Sequence, residues 1–348
     1  MLSITVRIRS GTAGDVAAVL VAAVLVAVAA LVGAIARNHD VPIHADTAPL
    51  YARWLPHLGP GTIPTVLVGA LVVLFGPRLA AQLSWRKLLA AAYLGSLVWT
   101  LSLALVDGWE RGVTGRLTTP TEYLAEVPRV DDVSTMLSTF ADRITGISPQ
   151  TWITHVAGHP PGATLIFVGL DRLGLSSGAA ASVLCIVVGA SAAVAVAVTL
   201  RALGHETAAR AALPFGVLLP GAVWVGASAD GLFAGVLAWG VALFALGATG
   251  TGARGAIATA AGGLVLGGTL YLSYGLVLAA FFPLAVLAVT RRLWPLLIAT
   301  AAVIAVVAAF AALGFWWFDG YEQVQQRYYQ PGEYGLERPY WYWVWANL

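Results

Sequence analysis

Long apolar stretches dominate this chain and decide which solvent it can fold in. Ten of them recur along the 348 residues: 16–36, 62–76, 88–106, 162–175, 178–200, 211–229, 231–249, 255–272, 273–290 and 294–315. A helix needs about 20 apolar residues to cross the hydrocarbon core of a bilayer. With 59% hydrophobic and 10% charged residues, the chain has too little polar surface for a soluble domain. The sequence predicts an all-α polytopic transmembrane protein, with residues 1–348 forming a single membrane domain of nine or ten apolar segments.

The positions of the arginines predict the orientation. Arg7 and Arg9 precede the first stretch, and later arginines fall in short loops. Because positive residues favour cytoplasmic loops, we expect a cytoplasmic N-terminus. The acidic segments 37–61, 107–161 and the tail 316–348 are then extracytoplasmic. The expected location is the plasma membrane.

One stretch conflicts with this orientation. If all ten stretches span, the arginine-bearing loop 201–210 falls on the outer side. The stretch 162–175 is short and is interrupted by Asp171 and Arg172, and the stretch 62–76 is also short. We favour 162–175 as a re-entrant or interfacial segment, which polar lining tolerates. The alternative keeps ten spans and accepts two breaches of the charge rule.

Charge and cysteine content exclude several functions. The net charge is +2 and no basic surface is concentrated, so no nucleic-acid partner is expected. Cys185 is the single cysteine, which excludes a disulfide framework and a thiolate metal site. The expected partner is the lipid bilayer. No cofactor is predicted, and a divalent metal stays an open alternative.

The segment 107–161 concentrates ionisable groups, with seven of the 17 acidic residues and two of the six histidines. Asp107 follows the third apolar stretch directly, and Glu110 comes three residues later. A carboxylate at a helix exit, beside apolar material, is well placed to act as a general base. Asp131 and Asp132 are further candidates. The plain alternative is that an external loop is simply polar.

His155 and His159 close this loop in the sequence Thr154-His155-Val156-Ala157-Gly158-His159-Pro160-Pro161-Gly162. A spacing of four is typical of metal ligands on one helix face. However, a residue before proline avoids the helical region, so the two rings are not expected to share a face. A helix that starts at the prolines would place His159 at its N-terminus, a natural phosphate-binding position. Phosphate contact, a structural role and a metal remain alternatives.

Four more residues are candidates for substrate binding. Asp230 lies between two apolar stretches, where a charge is costly and often functional; a turn between helices is the alternative. Arg338 lies among tyrosines in the tail, a combination that suits a sugar phosphate, although interfacial anchoring explains it as well. Arg116 and Tyr123 lie within the polar loop.

A long external loop that is opened by an acidic residue and closed by His-Pro-Pro resembles the GT-C superfamily of membrane glycosyltransferases. Protein O-mannosyltransferases and the aminoarabinose transferases of lipid A are members. The similarity covers roughly residues 88–315. It implies a sugar donor on a polyprenyl phosphate and a carboxylate that deprotonates an acceptor hydroxyl, with inversion. The acceptor would be an extracytoplasmic glycan, lipid or protein.

Carried over by position, the resemblance gives Asp107 the role of base and His159-Pro160-Pro161 the loop-end motif. His159 and an arginine, Arg116 or Arg338, would offset the charge that grows on the leaving phosphate. The chain departs from the superfamily pattern in two ways. The acidic pair is not adjacent, because Glu110 is three residues from Asp107, and two apolar stretches precede the presumed first core helix.

If the first apolar stretch is instead the core helix, Asp46 inherits the role of base. The composition is typical of a GC-rich, actinobacterial genome. The aromatic run before Leu348 resembles the start of another span, so we expect a C-terminally truncated form. Two other functions stay open: a transporter or flippase for a lipid-linked or small solute, and a non-catalytic membrane scaffold.

Overall fold

The computed structural model describes residues 12–43, 55–145, 150–329 and 339–346, and every regular element among them is a helix. The α-helices of these residues are α1 (Thr12–Asn38), α2 (Thr62–Gln82), α3 (Trp85–Val106), α4 (Val133–Ser138), α5 (Asp142–Thr145), α6 (Thr154–Gly158), α7 (Pro161–Arg172), α8 (Gly178–Ala190), α9 (Ala192–Ala202), α10 (Glu206–Val217), α11 (Ala222–Val225), α12 (Ala229–Thr249), α13 (Gly252–Thr269), α14 (Phe281–Thr290), α15 (Trp294–Ala312), α16 (Trp317–Tyr329) and α17 (Tyr340–Ala346). A π-helical turn covers Glu110–Thr114, and 3₁₀ helices cover Tyr123–Ala125, Val127–Arg129 and Tyr274–Ala280. The predicted all-α class is confirmed.

Six helical segments are long and apolar enough to cross a membrane: Ala13–Asn38, Thr62–Gln82, Trp85–Val106, Gly178–Ala202, Ala229–Thr249 and Trp294–Ala312. Large apolar side chains on them face outward; Val73 and Leu74, for example, are both more than half exposed. Exposed apolar surface of this extent is stable only against lipid. The chain is therefore a multi-pass membrane protein, as the sequence predicts.

Several apolar stretches differ from their sequence-based lengths. The stretch 62–76 is not short, since α2 continues through Pro77 to Gln82 and reaches 21 residues. The stretch 211–229 is broken, because α10 ends at Val217 and the turn around Pro220 precedes α11. The stretch 273–290 begins as a 3₁₀ helix and becomes α14 only at Phe281.

Helix α7 corresponds to the stretch that we favoured as defective. It has 12 residues, which makes it about 18 Å long at 1.5 Å per residue. This length covers little more than half of the hydrocarbon core, about 30 Å. The side chains of its first turns are buried in the protein core rather than facing lipid. By length, α7 cannot cross the bilayer alone.

The chain divides into two compact units, residues 1–55 with 328–348, and residues 56–327. In the first, α1 packs against α17: the Tyr342 hydroxyl donates to the carbonyl of Ala29, and Tyr342 shares an apolar cluster with Ala36 and Ile43. The single membrane domain expected from the sequence stays a prediction.

The second unit is organised around α12, which contacts α8, α9, α13, α14 and α15. Glycines allow close helix packing here, since a Cβ at Gly235 would lie 2.2 Å from the carbonyl oxygen of Val188. The polar segment after α3 is not an open loop. Its short helices fold over α7 and the start of α12 around one core cluster that includes Phe140, Trp152 and Phe233. This folded layer carries most of the candidate residues.

Candidate functional site

The first polar cluster lies at the C-terminal end of α3. The Asp107 carboxylate accepts a hydrogen bond from Arg111, with 2.7 Å between Nη2 and Oδ1. His57 Nε2 lies 2.9 Å from the same oxygen. A carboxylate at a helix C-terminus meets the negative end of the helix dipole, so basic neighbours offset an unfavourable interaction. We refer to His57, Asp107 and Arg111 as the Asp107 cluster.

A close approach of the chain before α2 brings His57 to this position. The Gly61 N–H donates to the carbonyl of Leu105, at 3.0 Å. A Cβ at Gly61 would lie 1.9 Å from the carbonyl oxygen of Ser102, so only glycine permits this contact with α3. His57 and Arg111 were not identified from the sequence. The Gly-Pro-Gly sequence at 59–61 was the available signal, because it marks a turn that can pack against a helix.

Three other candidates of this loop, Glu110, Arg116 and Asp132, are not among the described partners of Asp107, which are His57 and Arg111. Glu110 begins the π-helical turn and its side chain is exposed, as is that of Arg116. Within the described residues, neither side chain forms a hydrogen bond or ion pair. Asp132 is the N-cap of α4, where hydrogen bonds from Thr135 lower the pKa of its carboxyl. A capping role accounts for Asp132.

The second polar cluster is formed where the loop returns to the membrane helices. His155 lies in α6, whereas His159 is extended, with φ −128° and ψ 154°, and α7 starts only at Pro161. The prediction that the two histidines do not share a helical face is therefore confirmed. His159 precedes the N-cap residue, Pro160, so it is not in the first turn of α7. The two rings nevertheless approach each other, with 6.4 Å between centroids.

Glu122 is the acidic partner in this cluster. Its Oε2 lies 3.0 Å from Nδ1 of His155, and the His155 N–H donates to the carbonyl of Thr121. The hydrogen bond to Glu122 raises the pKa of His155, and the negative charges of Glu122 and Asp230 act in the same direction against burial. The sequence showed Glu122 only as one loop acid among several, since nothing in its spacing indicates a partner 33 residues away.

His159 and Tyr123 complete the cluster. Burial lowers the pKa of His159, whose Nδ1 lies 2.8 Å from the carbonyl oxygen of His155. The Tyr123 ring lies 6.2 Å from the ring of His155 and 5.9 Å from that of His159. Tyr123 is 1% exposed, and its hydroxyl has no hydrogen-bond partner within the described segments of the chain. Burial raises the pKa of this phenol. We refer to Glu122, Tyr123, His155 and His159 as the His155 cluster.

Asp230 lies beside the His155 cluster. It is in the first turn of α12, where the N-cap residue Ser228 accepts a hydrogen bond from the Asp230 N–H. Its charge acts on His155, His159 and Tyr123. The structure thus brings four sequence-predicted binding residues together. Asp230 thus lies at the start of a helix that follows a turn, and its role as a site residue stays a prediction.

Glu126 has a structural role that the sequence did not reveal. Its side chain is fully buried, and Oε1 accepts hydrogen bonds from Arg129 at 2.8 Å and from the Ile153 N–H at 3.1 Å. These contacts fix the segment before α6 to the 3₁₀ helices. Glu126 therefore helps to fix the position of His155 relative to Glu122.

Asp46 and Arg338 lie outside the described residues. Among the residues that the structure describes, no group of three or more His, Cys, Asp or Glu side chains is arranged to hold a metal ion. The sequence matches no family model, and neither a curated protein nor a solved structure matches the chain. The two clusters are therefore the features of the molecule that bear on its function.

Proposed function

We propose that this protein is a membrane glycosyltransferase that moves a sugar from a polyprenyl-phosphate donor to an acceptor hydroxyl, with inversion at the anomeric carbon. The observation that carries the proposal is the pairing of a carboxylate with a guanidinium at the exit of a membrane helix. Asp107 and Arg111 lie 2.7 Å apart there. Glycosyl transfer from a phosphate needs both groups: a base for the acceptor and a cation for the leaving phosphate.

The proposed reaction uses the two oxygens of Asp107 differently. Both contacts of the carboxylate, with Arg111 and with His57, use Oδ1. Oδ2 takes the proton from the acceptor hydroxyl. The acceptor oxygen forms a bond to the anomeric carbon while the bond from that carbon to the phosphate oxygen breaks. The electron pair leaves with the polyprenyl phosphate, whose added charge the Arg111 guanidinium offsets.

The surroundings of the Asp107 cluster suit a lipid-linked donor. Helix α2, which packs beside α3, exposes Leu67, Leu71 and Leu74 by more than half. A polyprenyl chain can lie against such a surface while its phosphate reaches the polar groups at the end of α3. His159, by contrast, is less suited than Arg111 to the phosphate role implied by the resemblance, because burial favours its neutral form.

The position of charges weighs against a transporter. A transporter typically has paired charges buried at mid-span. In the six candidate spans, charged residues lie near the helix ends: Asp15, Arg37, Arg78, Arg86, Lys87, Arg201 and Asp230. No feature of the described residues favours the transporter or the scaffold over the enzyme.

The test is sugar transfer in lipid nanodiscs. Labelled polyprenyl-phosphate mannose and arabinose are offered with an actinobacterial cell-wall extract as acceptor. We expect Asp107→Asn to reduce transfer at least about 100-fold, since general base catalysis contributes this much or more. The matched control is Asp142→Asn, which changes an exposed carboxylate of the same loop.

Two results would count against the proposal. Transfer that survives in Asp107→Asn would remove Asp107 from the role of base and direct the search to Asp46. Wild-type protein that transfers neither sugar would contradict glycosyl transfer from these donors.

A further inference from the structure

The His155 cluster has hydrogen-bonding capacity that the described part of the chain does not use. Among those residues, the buried Tyr123 hydroxyl has no hydrogen-bond partner. Burying such a group without a partner is energetically unfavourable. Its ring contacts the rings of both histidines, and the charges of Glu122 and Asp230 act on the phenol. The hydroxyl therefore belongs to the same group of polar side chains.

The two histidines offer different atoms to a ligand. The contact of His159 Nδ1 with the His155 carbonyl assigns the proton to Nδ1, because a carbonyl oxygen only accepts. In the neutral ring Nε2 is then an acceptor. His155 Nδ1 donates to Glu122, so its Nε2 is an acceptor in the neutral ring and a donor in the charged one.

The charge of this region argues against an anionic ligand. Glu122 and Asp230 are both carboxylates, and both act electrostatically on His155 and His159. One histidine is held neutral by burial, and the other is balanced by its own carboxylate partner. Among the described residues, no arginine or lysine acts on either imidazole, so a phosphate would meet two carboxylates without a permanent cation to offset them. A sugar hydroxyl, which both donates and accepts, matches the available atoms.

We propose that Glu122, Tyr123, His155 and His159 bind the hydroxyl groups of a neutral carbohydrate, and that this is the acceptor site of the enzyme. The binding claim stands on the contacts of the cluster, whereas the acceptor role rests on the proposed function. Phe233, whose ring lies 5.8 Å from that of His159, adds an apolar face beside the polar groups. Polar and aromatic side chains placed side by side are typical of small-molecule sites.

The test is direct binding, without donor or turnover. A panel of methyl glycosides, including methyl α-mannoside and methyl arabinofuranoside, is titrated against the wild-type protein in nanodiscs by saturation-transfer NMR, and methyl phosphate serves as the anionic probe. We expect glycoside binding, weakened at least about tenfold by Glu122→Gln and by Tyr123→Phe, since each loses a hydrogen bond to the ligand. Asp142→Asn, the loop control, should bind as the wild type does.

Tyr123→Phe separates binding from folding. The ring keeps its contacts with Phe167 and the histidines, and only the unpaired hydroxyl is lost. Without ligand, the melting temperature should stay the same or rise, while glycoside binding weakens. A purely structural tyrosine would give the opposite pattern. Methyl phosphate that binds more tightly than every glycoside, or no glycoside binding at all, would overturn the proposal.

Failure of this inference can be told apart from failure of the proposed function. If glycosides bind but the protein transfers no sugar, the carbohydrate site is supported and the proposed glycosyltransferase function is contradicted. If sugar is transferred while Tyr123→Phe leaves both glycoside binding and the KM for acceptor unchanged, the glycosyltransferase function is supported and the carbohydrate site is contradicted.

Discussion

The carboxylates of the Asp107 cluster and the His155 cluster come from one loop, yet they differ in their exposure to solvent. The side chain of Asp107 is 41% exposed and that of Glu122 is 17% exposed. Asp107 pairs with an arginine, which is always charged, whereas Glu122 pairs with a histidine, whose charge depends on pH. The comparison teaches that similar acid–base pairs can differ in how strongly they respond to pH and to neighbouring charges, because they differ in burial and in the basic partner.

The largest expected difference between the two regions is in stability. Glu126→Ala removes the buried carboxylate that supports the His155 cluster and leaves Arg129 and the Ile153 N–H without this acceptor. We expect a loss of about 3 kcal/mol, the lower end for a broken buried ion pair, because Arg129 keeps 41% exposure. Asp107→Ala should cost less than about 1 kcal/mol, as surface pairs do. Denaturant unfolding in nanodiscs measures both, and equal losses would contradict the comparison.

A pair of glycine substitutions sharpens the same contrast. A Cβ at Gly112 would lie 1.8 Å from the carbonyl oxygen of Ala104, in the last turn of α3, whereas one at Gly158 would meet nothing within 4 Å. We expect Gly112→Ala to destabilise the protein by about 2 kcal/mol through overpacking. Gly158→Ala, between the two histidines, should change stability by no more than about 0.5 kcal/mol. Thermal unfolding of the two variants compares their stability. A larger loss for Gly158→Ala than for Gly112→Ala would contradict the close packing at Gly112 and the open space at Gly158.

The stability of the fold should depend on pH through the two histidines of the His155 cluster. The pKa of His155 is raised above 6.5, so its pairing with Glu122 stabilises the fold fully below pH 6.5 and is lost as pH rises through the raised pKa. The pKa of His159 is lowered, so the fold loses stability as pH falls from 6.5 towards that lower pKa. Asp230 and Tyr123 also face these rings.

NMR titration of the imidazole carbons measures both histidines directly. His155 should titrate at higher pH than His159, and Glu122→Gln should lower the pKa of His155. Titration of His159 above His155 would disprove the hydrogen-bond assignment of the cluster.

The smallest expected effect is on the exposed pair of the Asp107 cluster. Arg111→Gln removes a surface ion pair with an Arg side chain that is 59% exposed. We expect a stability change within about 0.5 kcal/mol that shrinks further at 1 M salt, because salt weakens the attraction between solvent-exposed charges. Unfolding at low and high salt measures it. A large, salt-independent loss would show that the Asp107 cluster is not a solvent-exposed pair.

Much of the fold could be predicted from apolar length alone, because a span of about 20 apolar residues has few alternatives in a bilayer. The errors fall where turn residues intervene. Helix α2 continues through Pro77, whereas α10 ends before Pro220. A proline alone does not predict whether a helix continues or ends, because the neighbouring packing decides. The extended conformation of His159 was predictable, since a proline follows it.

The candidate site was predictable only as a set of residues within one loop. The sequence by itself determined the membrane class, the helical content and the concentration of acids and histidines in the segment 107–161, because these depend on composition and local periodicity. Only the tertiary structure decided the partners: His57 with Asp107, and Glu122 with His155. Such pairs depend on burial and on the packing of distant segments, and neither is encoded in local spacing.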